Sequence, residues 1–504
     1  MAIRYYANDP AAASAIEISP SLDRTGARLR LRLPAGPPED LYDETDAGFV
    51  HWQARESGLR CLETWDRLSD RLARWQNDAH ELELDYNAGI GLQASYDRQS
   101  IRMFRWESPA TTFVGASTDA VAHEIGHALL DAMRPDLWQS FYPEVVSFHE
   151  AFADCFALLV ALLDGDQRAA LFTPEVPGHA ALKGGNSISK FAESVAHSYG
   201  QSFSPRHPSA FPRDANNQLR WAFPHLLPAV APGVRLSQEP HSFSRVFSGC
   251  FYDLIHNIYQ SKPATSAGLE QAALSAGALL LDAIENAPEG LQFFQSIGRA
   301  MVLADREDNG GLHQRAVADA FNAHGILLGS SALVAPVATL DGTARRTRGG
   351  SVGLNARSRE DLRQRLHAPK RTRFRFSRVR LGARRLLKAA YKRYISVGKL
   401  HRQLRGVRVA LTDAVLLDVV DKRHTVLEGI PDAKSCEEHT LSFVETMIDN
   451  GMLMLGRQAV RRGRKRSRAA TEHPDHALAS FSVRTVNRQR VITRVRYACH
   501  SRQR

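Results

Sequence analysis

At 504 residues the chain has room for two to four domains. Its 43% apolar and 24% charged residues are the balance of a globular protein and set aside disordered, collagen-like and low-complexity classes. Five cysteines (Cys61, Cys155, Cys250, Cys436, Cys499) are scattered without a C-x-x-C pair, which argues against a disulfide framework and against a cysteine-ligated zinc. The net charge of +11 hides a split: residues 341–504 carry 39 Lys and Arg against 14 Asp and Glu, leaving 26 basic and 40 acidic residues in 1–340. Such asymmetry suggests two bodies with different partners.

The N-terminus has no apolar core of a Sec signal peptide, so the expected location is cytoplasmic, or outside by a leaderless or effector-type route. Residues 1–45 hold short strand-like pieces, among them the alternating Ala27–Leu33. Residues 46–76 read as a helix, with Phe49, Trp52, Leu59, Leu62, Trp65, Leu68, Leu72 and Trp75 at three- and four-residue steps. Strands are expected again over 82–106, then a loop to Ser117, Thr118 and Asp119, any of which can cap a helix.

That helix, Asp119–Asp131, carries His123-Glu124-Ile-Gly-His127. Residues four apart share a helix face. Both imidazoles can therefore reach one cation, and the Glu124 carboxylate can meet a water on it, the H-E-x-x-H arrangement of zinc hydrolases. The other reading is two ordinary histidines on an ordinary helix. Arg134-Pro135-Asp136 is a stop signal. A second helix around 147–159 places Glu150 and Asp154 on one face. A catalytic zinc takes three protein ligands, and two His plus Glu is one such set. Glu150 is placed to be the third ligand, and Asp154 can fix a ligand histidine's tautomer. An exposed acidic stripe is the competing reading, and the apolar flanks weigh against it. The apolar run Phe156–Leu163 is far short of a membrane span, so no transmembrane segment is expected.

Residues 165–240 are rich in Pro and Gly and read as loops. His241 opens a helix to Tyr259; helices fit 266–286 and 288–304; Asp308–Gly311 is a turn, and a last helix ends at Gly325. Thr343–Ser351 looks like a linker. Arg371–Leu381 alternates basic and apolar residues as a strand with one cationic face, a basic helix is expected over 382–394, and 478–498 alternates like strands. Arg461–Arg468 is a cationic block.

Asp119–Asp131, His149-Glu150-Ala-Phe-Ala-Asp154, His241–Leu254 and Val317–Leu327 together resemble, in order, four landmarks of the thermolysin-like and fungalysin-like zinc metallopeptidases, the gluzincins. Asn87-Ala88 and Ile101–Trp106 are similar, more weakly, to the family's substrate-binding edge-strand region. The resemblance covers about residues 80–328. It implies a zinc metalloendopeptidase, with His123, His127 and Glu150 as Zn2+ ligands, Glu124 as general base and His241 as oxyanion stabiliser. Tyr142 would assist, although its register is off by one; Glu239 can orient His241. A calcium-binding cluster and a long propeptide, both usual in relatives, find no match.

The implied architecture is α+β, a two-lobed thermolysin-like zincin with a separate basic C-terminal domain. Residues 1–118 would form a strand and helix lobe with the edge strand, 119–160 the metal-binding helices at the cleft, and 161–330 a mainly helical lobe. A linker region over 331–370 would lead to the basic domain of mixed α and β structure, 371–504. The substrate would be a protein or peptide. The charge of 371–504, with Phe374, Phe376, Tyr391 and Tyr394 interleaved as a stacking surface would be, suits an anionic partner: nucleic acid, a membrane surface or an acidic protein. A plain solvated basic face is equally open. The alternative class is a binding or effector-delivery protein with an inactive or non-proteolytic metallopeptidase-like domain.

Overall fold

A computed structural model describes residues 2–108, 110–172, 178–203, 213–329, 354–366, 368–370, 372–381, 384–420, 423–428, 433–455 and 479–500. The expected linker Thr343–Ser351 and the cationic block Arg461–Arg468 lie outside them. The architecture is mixed α and β. Strands β1 (Ile3–Tyr5), β2 (Ile16–Ile18) and β3 (Arg30–Arg32) precede helix α1 (Ala47–Leu68). Then come β4 (Glu81–Asp85), β5 (Gln93–Tyr96), β6 (Ser100–Met103), β7 (Arg105–Trp106) and β8 (Thr112–Phe113). Helices α2 (Thr118–Met133), α3 (Pro143–Leu163) and α4 (Gly165–Ala170) lead to β9 (Lys190–Phe191), α5 (Glu193–Phe203) and β10 (Arg213–Asp214). A helical stretch follows: α6 (Pro240–Tyr259), α7 (Ser266–Asn286), α8 (Phe293–Asn309) and α9 (Gln314–Ala323). The C-terminal part has α10 (Ala356–Arg365), β11 (Arg375–Leu381), β12 (Arg384–Ser396), β13 (Val407–Val420), β14 (Arg423–Glu428), α11 (Ala433–Asp449), β15 (Leu453–Met454), β16 (Phe481–Val486), β17 (Gln489–Arg494) and β18 (Tyr497–His500).

The helices start where local chemistry provides a cap. Asp46 accepts from the Gly48 amide at 2.6 Å to open α1, and Ser117 caps α2 through the Ala120 amide. Pro143 begins α3 at a position that needs no N–H donor. Every residue of α3 is buried, as its apolar composition requires. Both α3 and α7 have the length and apolarity of a membrane span; here α3 is the central helix of the core, between α2 and α6. Phe148 meets Phe247 and Phe293 edge-on, with ring centroids 5.0 and 5.1 Å apart. Gly126 lets α2 approach closely: a Cβ there would stand 2.8 Å from the Ala153 Cα on α3. That contact sets the spacing of the two helices that carry the candidate ligands.

The first main sheet has the order β18-β5-β6-β4-β3. β6 therefore lies inside it, and β5 is the strand that pairs with the C-terminal β18. The second sheet runs β11-β12-β13-β17-β16-β15, with β14 also on β13.

Three expectations for the C-terminal part are corrected. The basic helix over 382–394 is strand β12, paired along its length with β11 and β13. Leu387, Ala389 and Tyr391 bury one face beside Leu362 and Leu366, and Leu386 buries the other beside Leu303, so apolar residues on both faces concealed the two-residue period. The C-terminal domain is not separate. Ile395, Val409, Phe443, Met447, Phe481 and Tyr497 belong to the same hydrophobic core as α2, α3 and α6. Asn450 donates to the Ala229 carbonyl at 3.0 Å, and Arg494 to the Trp138 carbonyl at 3.0 Å. Net charge describes the solvated surface and is blind to the apolar faces through which two parts join. Nor do the four interleaved aromatics form a stacking surface. Phe374, Phe376 and Tyr391 pack together, and Tyr394 alone of the four is exposed.

Candidate metal centre

The α2 face presents His123 and His127 with Glu124 between them, all buried. From α3 comes Glu150. His123 donates from Nδ1 to Asp154 Oδ1 at 2.9 Å, which leaves its lone pair on Nε2. His127 Nδ1 meets His149 Nδ1 at 2.8 Å, so its Nε2 also faces inward. Asp154 is itself held by Ser248 Oγ at 3.1 Å and Arg213 at 3.2 Å.

A fourth candidate ligand comes from residue 499, on β18. Cys499 Sγ on β18 lies 3.2 Å from His123 Nε2, 3.4 Å from His127 Nε2 and 3.7 Å from Glu150 Oε2. Glu150 Oε2 is 3.4 Å from each of the two Nε2 atoms. Ligand bonds of about 2.0–2.3 Å, as zinc makes to N, O and S, give a tetrahedron edges of about 3.3–3.8 Å. The five edges measured here all fall in or close to that range, so the four side chains fit one tetrahedral cation. The group is able to bind a metal, and its donor set of two imidazoles, a carboxylate and a thiol suits a borderline-soft ion.

The electrostatics fit a cation too. Although burial alone would raise it, the His241 and His127 rings and the hydrogen bonds from the ligand histidines hold the Glu150 carboxyl well below its usual range. Burial dominates at Glu124 and pushes its pKa up to about 7, against the lowering by His123. Neither Glu124 oxygen has a well-formed hydrogen bond among the described residues. A buried carboxylate with no well-formed hydrogen bond, beside a group able to bind a metal, calls for an explanation.

The structure brings His241 to the group. Its Nε2 is 3.2 Å from Glu150 Oε2, and its Nδ1 donates to Glu239 Oε1 at 2.6 Å. Glu239 also caps α6 by accepting from the Ser242 amide at 2.9 Å. Burial opposes the charged ring, but Glu150 and Glu239 outweigh it and raise the His241 pKa to about 9.

Tyr142 is not brought to the group. It stands at the cap of α3, where its hydroxyl bonds Asp413 and meets Cys436 Sγ at 3.6 Å. Its side chain joins the helix to the C-terminal sheet instead. Cys499 also runs against the expectation that no cysteine would stand among the metal ligands. Arg213 and His149 were likewise not singled out from the sequence; Arg213 lies in a loop-like stretch with no signal, and His149 next to Glu150 had only its neighbour to mark it.

No protein-family model matches this chain, and no curated protein matches it either. What can be said of its chemistry rests on the group itself.

Proposed function

We propose that the chain is a zinc-dependent metalloendopeptidase of two-lobed, thermolysin-like build, with the metal helices α2 and α3 at the cleft between lobes. The observation that carries this reading is Glu124: a buried carboxylate with no well-formed hydrogen bond, between two histidines that face the candidate metal position, its pKa pushed up to about 7 by burial. His123, His127 and Glu150 would hold the ion. When bound, zinc would supply a Lewis acid and activate a water near neutral pH. Glu124 takes the proton of the attacking water and returns it to the leaving amine. Protonated His241, held by Glu239, donates from Nε2 to the developing oxyanion; removing such a donor typically costs about a hundred- to a thousand-fold in rate. Asp154 and His149 hold the ligand rings in place.

A second reading has one observation in its favour. Four protein ligands make a closed set, as in structural zinc sites. A purely structural site has no use for Glu124 or for His241 beside it. Because the Cys499 sulfur stands at one corner, the test uses the Cys499→Ala protein. Adding Glu124→Gln should leave zinc content unchanged and abolish cleavage of a mixed peptide library. Equal cleavage by the two proteins, or none by either with zinc bound, refutes the peptidase reading.

A further inference from the structure

We infer that β18 is a built-in inhibitor: the chain's own C-terminal strand fills the substrate position along β5 and supplies Cys499 as the metal's fourth ligand where the reacting water would sit. This rests on the metallopeptidase reading and adds how that site is kept silent.

Three independent features place the strand. First, β18 pairs antiparallel with β5 over four residues, Tyr497 opposite Tyr96 and Cys499 opposite Ala94. An extended peptide adding itself to a sheet edge is a general way of presenting a backbone to a binding site. Here the edge next to the metal ligands is already taken. Second, alternate residues of a strand share a face, and the two that face the metal group are both engaged. Tyr497 is fully buried, stacked on His149 at 3.8 Å and on His127 at 4.6 Å between centroids, with the Arg494 guanidinium 3.9 Å from its own ring centre. Third, Cys499 completes the tetrahedral edges described above, so with a metal bound its sulfur would take the corner that a water would otherwise occupy. Cys499 also bears on Glu124, the base that the water needs. The strand thus blocks the groove, the coordination position and the base together.

Cys499 is the only one of the five cysteines that is not fully buried. It is therefore the cysteine that a thiol reagent is expected to modify first. With p-chloromercuribenzoate the thiolate forms an S–Hg bond, chloride leaves, and the sulfur lone pair is lost to the metal.

The test uses the full chain loaded with cobalt(II) or zinc. Cobalt-loaded wild type should show the near-ultraviolet sulfur-to-cobalt charge-transfer absorption, and Cys499→Ser and Cys499→Ala should lack it. With zinc, both variants and the mercurial-treated wild type should cleave a peptide library faster than untreated wild type. The expected gain is roughly a hundredfold, the lower end of what tethering adds to a binding event. The mercurial arm keeps the test meaningful if a variant folds poorly. Wild type without the thiolate band, cleaving as fast as Cys499→Ala, overturns the inference and leaves the peptidase intact. A thiolate band that vanishes with Cys499, while no form cleaves any peptide, supports the ligation and overturns the peptidase reading.

Discussion

Asp154→Asn isolates the contribution of a carboxylate that never touches the metal. Asp154 accepts from His123 Nδ1 at 2.9 Å and from Ser248 Oγ at 3.1 Å, and it neutralises Arg213 at 3.2 Å. Asparagine keeps the size and one acceptor oxygen. It removes the charge that makes His123 a better donor to a cation, and it turns an N–H2 toward Ser248. Losing the outer partner of a ligand histidine typically weakens metal binding 10- to 100-fold, about 1.4–2.7 kcal/mol. Since the carboxamide oxygen can still accept from Nδ1, the expected loss is about tenfold, at the lower end of that range. Competition against a chromophoric zinc chelator, with Cys499→Ala as the parent, reads the three-ligand site without the thiol. Thermal unfolding of the metal-free proteins checks that the core stands without a full Asp154–Arg213 pair. Affinities equal within about twofold, ~0.4 kcal/mol, in two folded proteins would mean that Asp154 does not orient His123.

Gly126→Ala puts a methyl 2.8 Å from the Ala153 backbone, where no side chain can yield; overpacking of about 1–3 kcal/mol should lower the melting temperature. It should also weaken zinc binding, because α2 moves away from Glu150, and an unchanged melt and affinity would rule out the close-packing account. Burial raises the Glu144 pKa to about 8, although the carboxylate accepts from Trp221 Nε1 at 2.9 Å and the Phe294 amide at 3.0 Å. Its folded value lies above its unfolded one, so its contribution is complete below about pH 4.5 and is lost as pH rises towards 8, at about 1.4 kcal/mol per unit. Glu144→Gln should therefore gain stability relative to wild type between pH 5 and 8, and parallel stability curves over that window would contradict the burial argument. Tyr142→Phe should cost about 1–3 kcal/mol by stripping a hydrogen bond from buried Asp413, with zinc affinity and turnover of the Cys499→Ala enzyme unchanged. A tenfold fall in turnover in a stable variant would restore Tyr142 to the site.

The candidate site was legible where it is local. His123, Glu124 and His127 lie on one turn of one helix, and the caps and stop around them are short-range signals. Glu150 and Asp154 could be read because α3 is apolar throughout, so two carboxylates in it needed an explanation. Glu239 beside His241 is a two-residue relation, and the structure places it as the spacing allowed. Cys499 was not legible: it is 349 residues from Glu150 in the chain, and it arrives on a four-residue strand whose pairing no local pattern records. Tyr142 was misplaced for a related reason. Sequence spacing fixes how far along α3 it stands, whereas its direction is set by Asp413 in a sheet 271 residues later. β12 misled because its first part buries apolar residues on both faces, at Leu386 and Leu387, which hides the alternation there.

The shortness of β18 matters to what it does. A four-residue strand is at the lower end of what pairs stably, and each net backbone hydrogen bond is worth only about 0.5–1.5 kcal/mol. The ladder to β5 alone is a weak hold. The Tyr497 slot adds apolar burial of about 1.5–3 kcal/mol, and a sulfur ligand to a cation adds the rest. The hold therefore has three parts: the ladder, the Tyr497 slot and the sulfur. Because the ligand is tethered, it needs no great intrinsic affinity to exclude a dilute substrate. For the same reason, a strand that is cut, modified at Cys499 or stripped of its metal loses most of its advantage at once. A site closed by four protein ligands is in this way compatible with catalysis: three come from α2 and α3, and the fourth from a short strand held by those separate contacts.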